Sequence, residues 1–165
     1  NKLFALTLTL GKAFGCFGAI VTGDKILIDY LRQFSRSYIY TTALPPALAE
    51  CANQSLEMVK SQSWRREKLN ANIALFAKLA AAYNLTLLPS ICAIQSIIVP
   101  SVDLANNLVK ECNSKGILIK AMLPPTVPNH RCCLRITLSC MHNENDLKHL
   151  FEIITPILNS AEASQ

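Results

Sequence analysis

Glycine is scarce in this chain, five among 165 residues. Three of the five (Gly11, Gly15 and Gly18) crowd into one short stretch, where the backbone freedom of glycine is concentrated. Aromatic residues are few at 7%, and charged residues make up only 16% against 51% hydrophobic, a balance that excludes an intrinsically disordered polyelectrolyte. No CxxC pair occurs, so neither a zinc ribbon nor a thioredoxin-like motif is indicated, and no metal site is expected. GxxxxGK[ST] is missing as well, because Ala13 follows Lys12; a phosphate-binding P-loop is therefore not supported. No uninterrupted apolar stretch reaches membrane-spanning length, and the first residues do not have the pattern of a signal peptide. Internal repeats and low-complexity segments are absent.

What is present is a chain long enough for a sizeable core, with a mean hydropathy of +0.28. The net charge of +5 comes from scattered basic residues, densest around Arg65, Arg66 and Lys68. Helix-period charge of that kind is a solvated face rather than a nucleic-acid surface, and neither nucleic acid nor membrane is expected as a partner. Seven cysteines, an odd number lying mostly in apolar surroundings, indicate a reducing, cytoplasmic compartment. The chain opens inside an apolar run with no turn or cap before it, as a cut through a larger domain would.

The stretch that organises the rest is 7–18, TLTLGKAFGCFG. An apolar, β-prone run leads into one lysine, Lys12, framed by Gly11 and Ala13. In an open α/β sheet, functional groups emerge where a buried strand breaks into a turn. Two readings of Lys12 stand side by side. It is an ordinary solvated turn lysine, or it is desolvated by its apolar neighbours and serves as a Schiff-base nucleophile.

Patterning predicts a strand over 3–9, apolar enough to be buried on both faces, and a second over 17–22. Asp24 is placed to cap a helix reaching Phe34, with Ile26, Leu27, Tyr30 and Leu31 inward. Residues 37–42 read as β, ended by Pro45 and Pro46. Helices follow over 47–61, with Leu48, Cys51, Ala52, Leu56 and Val59 on one face, and over 63–83, with Leu69, Ile73, Phe76, Leu79 and Ala80 buried. A strand over 93–99 precedes a helix from Val102 to about Ser114, capped by Ser101 and ended by Lys115 and Gly116, then a strand over 117–122 and a proline-rich loop over 123–129. The strand at 133–139 alternates Leu134, Ile136 and Leu138 against Arg135 and Thr137. A helix opening at Asn143 or Asn145 and reaching Leu158 completes a small antiparallel sheet covered by helices on one face, with a frayed tail over 160–165. A domain boundary is placed near Pro46.

TLGKAFG, read with FSRSYIYTTALPPA at 34–47, AIQ at 93–95 and MLPPTVP…LRITLSCMH at 122–142, resembles the α-oxoamine synthases. These are pyridoxal 5'-phosphate (PLP) enzymes of the aspartate-aminotransferase fold type. The resemblance runs through most of the chain in order and concerns only the C-terminal part of the family. It implies an α/β fold in which residues 1–45 are a remnant of the PLP-binding large domain. Residues 46–165 would be interdomain helices and the C-terminal small domain, with its antiparallel sheet. It implies that Lys12 is the catalytic lysine that holds PLP, that Thr9 binds the cofactor phosphate, and that Thr41 and Thr42 approach the phosphate in a partner subunit. Arg135 matches the second arginine of an R-L-R motif that grips an amino-acid carboxylate, a task suited to its planar fork. Thr126 matches a residue in a loop closing over the acyl thioester. The implied unit is a homodimer.

Within the family the resemblance points to members that condense L-alanine with a pimeloyl thioester in biotin biosynthesis. Chemistry on glycine with acetyl- or succinyl-CoA, or a non-catalytic fragment or partner subunit, are the alternatives. Family arginines are replaced here by Leu123 and Cys133, although Arg131 lies close to the latter. His142 reads as a packing or capping residue, and His130 and His149 as surface residues.

Overall fold

A computed structural model describes residues 3–128 and 131–162; His130 and the last residues of the expected tail, 163–165, lie outside the described residues. The chain forms two compact units, Asn1–Ser63 and Trp64–Gln165.

In the first unit β1 (Ala5–Thr9) pairs antiparallel with β2 (Ala19–Gly23), from Ala5 opposite Gly23 to Thr9 opposite Ala19. Helix α1 (Lys25–Phe34) starts as expected: the Asp24 carboxylate accepts a hydrogen bond from the Ile26 N–H at 2.9 Å. A short helix α2 (Arg36–Ile39) and a long α3 (Pro46–Ser61), with Pro46 in its first turn, complete the unit.

Four expectations are corrected here. The β1 run is exposed along its whole length rather than buried, because the hairpin is a two-stranded ribbon with no further layer on it among the described residues. On α1, Ile26 is 81% exposed and Tyr30 is also exposed; of the four residues expected inward, Leu27 and Leu31 alone are half-buried. Likewise α3 buries no residue, and Cys51, Leu56 and Val59 are exposed. Residues 37–42 are not a strand. With no ladder partner available, the backbone closes locally: the N–H groups of Tyr38 and Ile39 donate to the Ser35 carbonyl and that of Tyr40 to Arg36.

The second unit holds α4 (Trp64–Ala82), β3 (Ile94–Ile98), α5 (Val102–Ser114), β4 (Lys120–Met122), β5 (Cys133–Thr137) and α6 (Glu144–Glu162). The sheet order is β3-β5-β4, antiparallel throughout. Alternation on β5 is as read: Leu134, Ile136 and, just past the strand's end, Leu138 are buried, while Arg135 and Thr137 face out. The helices cover the buried face, where Phe76, Leu108, Phe151 and Ile154 pack on Ile97 and Leu134. Phe151 sits between two rings, 5.0 Å from Phe76 in a tilted pair and 5.6 Å from a stacked Tyr83.

Ser101 caps α5 by accepting from the Leu104 N–H. The helix stops at Gly116, whose φ of +80° lets the Ile117 N–H return to the Cys112 carbonyl at 2.8 Å. That closure uses Ile117, so β4 is shorter than expected. Asn143 accepts at its Oδ1 from the N–H groups of Asn145 and Asp146, and its own N–H donates to the Asp146 carboxylate, a reciprocal cap. From there α6 runs past Leu158 to Glu162 despite Pro156. Pro156 and Glu152 both lie on the wetted side, where a carbonyl relieved of its partner is hydrated.

Candidate cofactor turn and anion-binding strand

The loop joining β1 to β2 is an ordered structure. The Leu10 N–H donates to the Gly18 carbonyl and the Cys16 N–H to the Leu10 carbonyl, both at 2.9 Å, closing the base of the loop. A tighter turn within it is closed by the Gly15 N–H donating to the Lys12 carbonyl. Gly15 at φ +63° and Gly18 at φ +106° take backbone conformations that side chains resist. The Ser55 hydroxyl of α3 donates to the Phe14 carbonyl at 2.8 Å, fastening the loop to the helix. Beneath it, Leu10, Leu44, Pro45, Leu48 and Ala52 are among the residues lining an apolar pocket of about 280 Å³.

Lys12 opens this turn, ahead of Ala13 and Phe14. Its side chain is exposed, so the expectation that apolar neighbours would desolvate it is corrected: Ala13 and the glycines flank it in sequence but do not pack over the amine. It makes no ion pair among the described residues. Thr9, at the last rung of β1, and Thr41 and Thr42, between α2 and α3, are exposed, with hydroxyls that have no protein partner among the described residues. An exposed primary amine can condense with an aldehyde, and unpartnered hydroxyls can donate to a phosphate. The donor chemistry of this unit therefore fits PLP.

In the second unit Arg135 occupies the middle of the central strand, held by ladders on both sides and exposed on the open face. It has no carboxylate partner among the described residues, so its guanidinium is available to an incoming anion. Thr126 is exposed in a turn closed by its own N–H donating to the Leu123 carbonyl at 2.9 Å, beside the cis Pro124–Pro125 bond. Leu123, at the position of a family arginine, is half-buried against the core.

Two amides are buried: Asn72, which the sequence reading missed, and Gln95, which it took only as part of the AIQ motif. Asn72 of α4, 1% exposed, donates from Nδ2 to the carbonyls of both Ser139 and His142 at 2.9 Å. It pins the turn between β5 and α6. His142 accepts at Nδ1 from the Ser139 N–H within that same turn, so its role is structural, as expected. Gln95 donates to the Cys92 carbonyl at 2.7 Å. The signal for Asn72 was its spacing of four from Phe76 and of eight from Ala80, a polar residue on a buried helix face.

All seven cysteines are free thiols. Burial pushes the Cys112 thiol up to about 11, which makes it an inert core residue. Exposed Cys92 is held below the usual thiol range, first by the Ser90 hydroxyl and then by the Ile94 backbone. Glu144 is held below the usual carboxylate range by the hydrogen bond and charge of Lys148. Among the described residues no cluster of three metal-ligating side chains occurs, and no helix is long and apolar enough to cross a membrane.

Comparison with known proteins extends these observations. The sequence profile of the family described as Aminotransferase class I and II matches residues 2–154. The chain is similar to the 8-amino-7-oxononanoate synthase of Saccharophagus degradans, 46% identical over 150 residues, covering 91% of this chain and 38% of that protein. The corresponding enzyme of Stutzerimonas stutzeri is 47% identical over 154 residues, 93% of this chain and 39% of that protein. Among solved structures, the 8-amino-7-oxononanoate synthase of Francisella tularensis matches with a TM-score of 0.86 at 31% identity, covering 96% of this chain and 47% of that one. A serine palmitoyltransferase solved with PLP matches at 0.86 and 19% identity, over 96% of this chain and 40% of that one, a likeness of fold alone. The chain thus spans about two-fifths of the length of the curated relatives it matches.

Proposed function

The chain belongs to the aminotransferase class I and II family, and on that premise we propose that it is the C-terminal part of a PLP-dependent 8-amino-7-oxononanoate synthase. The reaction is the decarboxylative condensation of L-alanine with a pimeloyl thioester, yielding 8-amino-7-oxononanoate, carbon dioxide and the free thiol. The observation that carries this reading is the similarity to synthases of that name along nine-tenths of the chain.

Bound PLP would supply a reactive aldehyde and an electron-accepting ring. Lys12 offers the amine that holds the cofactor and, once freed, takes a proton from the α-carbon of the amino acid. Thr9 donates its hydroxyl to the cofactor phosphate; Thr42 and Thr41 do the same for a second subunit of a homodimer. Arg135 binds the alanine carboxylate at two points and fixes the orientation of the bonds at the α-carbon. Thr126 contacts the acyl chain. Residues 1–45 belong in this reading to the PLP-binding large domain and 46–165 to the interdomain helices and small domain, in a cytoplasmic enzyme.

The exposure of Lys12 supports a corollary: the 165-residue chain alone does not turn over. By resemblance, the groups that contact the cofactor ring lie in the part of the relatives that this chain does not span. The test supplies the longest form of the protein containing this chain with PLP and either L-alanine or glycine, and with pimeloyl-, acetyl- or succinyl-CoA. Mass spectrometry is expected to find 8-amino-7-oxononanoate from the alanine and pimeloyl pair. Product only from glycine would overturn the substrate assignment, and turnover by the 165-residue chain would overturn the corollary.

A further inference from the structure

The open face of the second unit's sheet carries a cross-strand row. Arg135 on β5 is directly opposite Ser96 on β3 and Lys120 on β4. Directly opposed residues of an antiparallel pair project from the same face with Cβ atoms about 5 Å apart, so two cations stand side by side. Both are exposed. The strands place no acid on this face: its other members are Ile94, Thr137, Ile98, Cys133 and Met122. Neither cation has a carboxylate partner among the described residues. Like charges directly opposite destabilise a sheet, and no carboxylate among the described residues pairs with either cation to offset the repulsion. An anion between them would offset it.

We propose that Lys120 is a second substrate-binding cation, sharing with Arg135 one carboxylate laid across the Ser96–Arg135–Lys120 row. This rests on the role assigned to Arg135 above and adds to it a positioning residue that the family resemblance does not supply. The Arg135 fork takes two oxygen contacts, and the Lys120 ammonium gives a third donor from the side. Ser96, half-buried, offers a hydroxyl on the other flank. The platform is rigid, since β5 is paired along both edges. Two residues along the strands, about 7 Å away, the next row on this face is Ile98 and Met122 with Cys133, itself buried, between them. That apolar flank favours a carboxylate with a hydrocarbon body over a fully hydrated inorganic phosphate.

The test titrates the full 165-residue chain, isotopically labelled, with L-alanine, its methyl ester and inorganic phosphate at constant ionic strength, following backbone amide shifts. L-alanine is expected to move the amides of Ser96, Lys120 and Arg135 together, the ester none of them, and phosphate to bind more weakly. Lys120→Met should weaken alanine binding about tenfold, the loss of one charge-assisted contact, without lowering the unfolding midpoint, and Lys120→Arg should restore it. Arg135→Met should abolish it. Wild-type binding by Lys120→Met, with binding lost in Arg135→Met, would overturn this inference and leave the proposed role of Arg135 intact. Unchanged binding in Arg135→Met would overturn both. Shifts elsewhere only, or phosphate binding as tightly as L-alanine, would overturn the carboxylate row.

Discussion

Trp64–Gln165 encloses an apolar core around Phe76, Phe151 and Leu134, leaving Ile91 and Leu118 outside it, whereas Asn1–Ser63 displays Phe4, Ile26, Phe34 and Tyr40. In the first unit Leu10 is the one buried hydrophobic residue among the described residues. Amphipathic helices and a β-hairpin are present in both, so the difference does not lie in local structure. It lies in layers: a three-stranded sheet with helices packed on one face encloses a core, and a two-stranded ribbon beside helices does not. The residues proposed for the cofactor sit on the unit with little core, and those proposed for the substrate on the unit with a complete one.

Breaking the core of the second unit should give the largest effect. Phe151→Ala removes a ring that contacts Phe76 and Tyr83 and is expected to cost about 3–5 kcal/mol by denaturant unfolding. A cost below about 1 kcal/mol would mean that this unit is not the well-packed one. Asn72→Ala comes next, at about 1–3 kcal/mol, because it removes the Asn72 donor from the His142 carbonyl and leaves the Ser139 carbonyl only the His142 N–H at 3.4 Å. Hydrogen exchange should localise that loss to the turn before α6.

Alkaline pH sharpens the contrast through Cys112. Its thiol ionises at 9.0 in the open chain and at about 11 in the core, so the folded-state value is raised. The stability it confers is complete below pH 9 and is lost as pH climbs from 9 toward 11, because the unfolded chain gives up its proton first. The expected fall is about 2 kcal/mol, and Cys112→Ala should remove that component. An identical pH profile in the variant would contradict it. The smallest effect belongs to the first unit: Ser55→Ala deletes the hydroxyl holding the Phe14 carbonyl, at about 1 kcal/mol. Faster exchange of the Gly15 and Cys16 amides is the readout, and unchanged exchange there would show that the Lys12 turn holds itself.

What was legible in the sequence follows the same line. The start of α1 at Asp24, α5 between Ser101 and Gly116, and the alternation of β5 were readable because caps, terminations and period-two patterns act over a few residues. The segment 37–42 was misread because Tyr38, Ile39, Thr41 and Thr42 favour strands only where a partner strand exists. Burial was the least legible property. The apolar character of β1 and of the α3 face was plain, but whether another layer covers them depends on residues distant in the chain. Desolvation of Lys12 was inferred from its neighbours in sequence, and an exposed turn does not supply it. The candidate site was legible as residue types, through resemblance, and its geometry was not: the helix spacing of Asn72 marks it as buried but not what it binds, and Lys120 beside Arg135 has no local signature.

The central claim is that one amine, that of Lys12, holds the cofactor. Borohydride reduction of the longest form of the protein after incubation with PLP, followed by peptide mapping, tests it most directly. The reduced pyridoxyl adduct is expected on the peptide containing Lys12, with Lys12→Ala abolishing specific labelling. Stoichiometric labelling at another lysine, undiminished in Lys12→Ala, would contradict it.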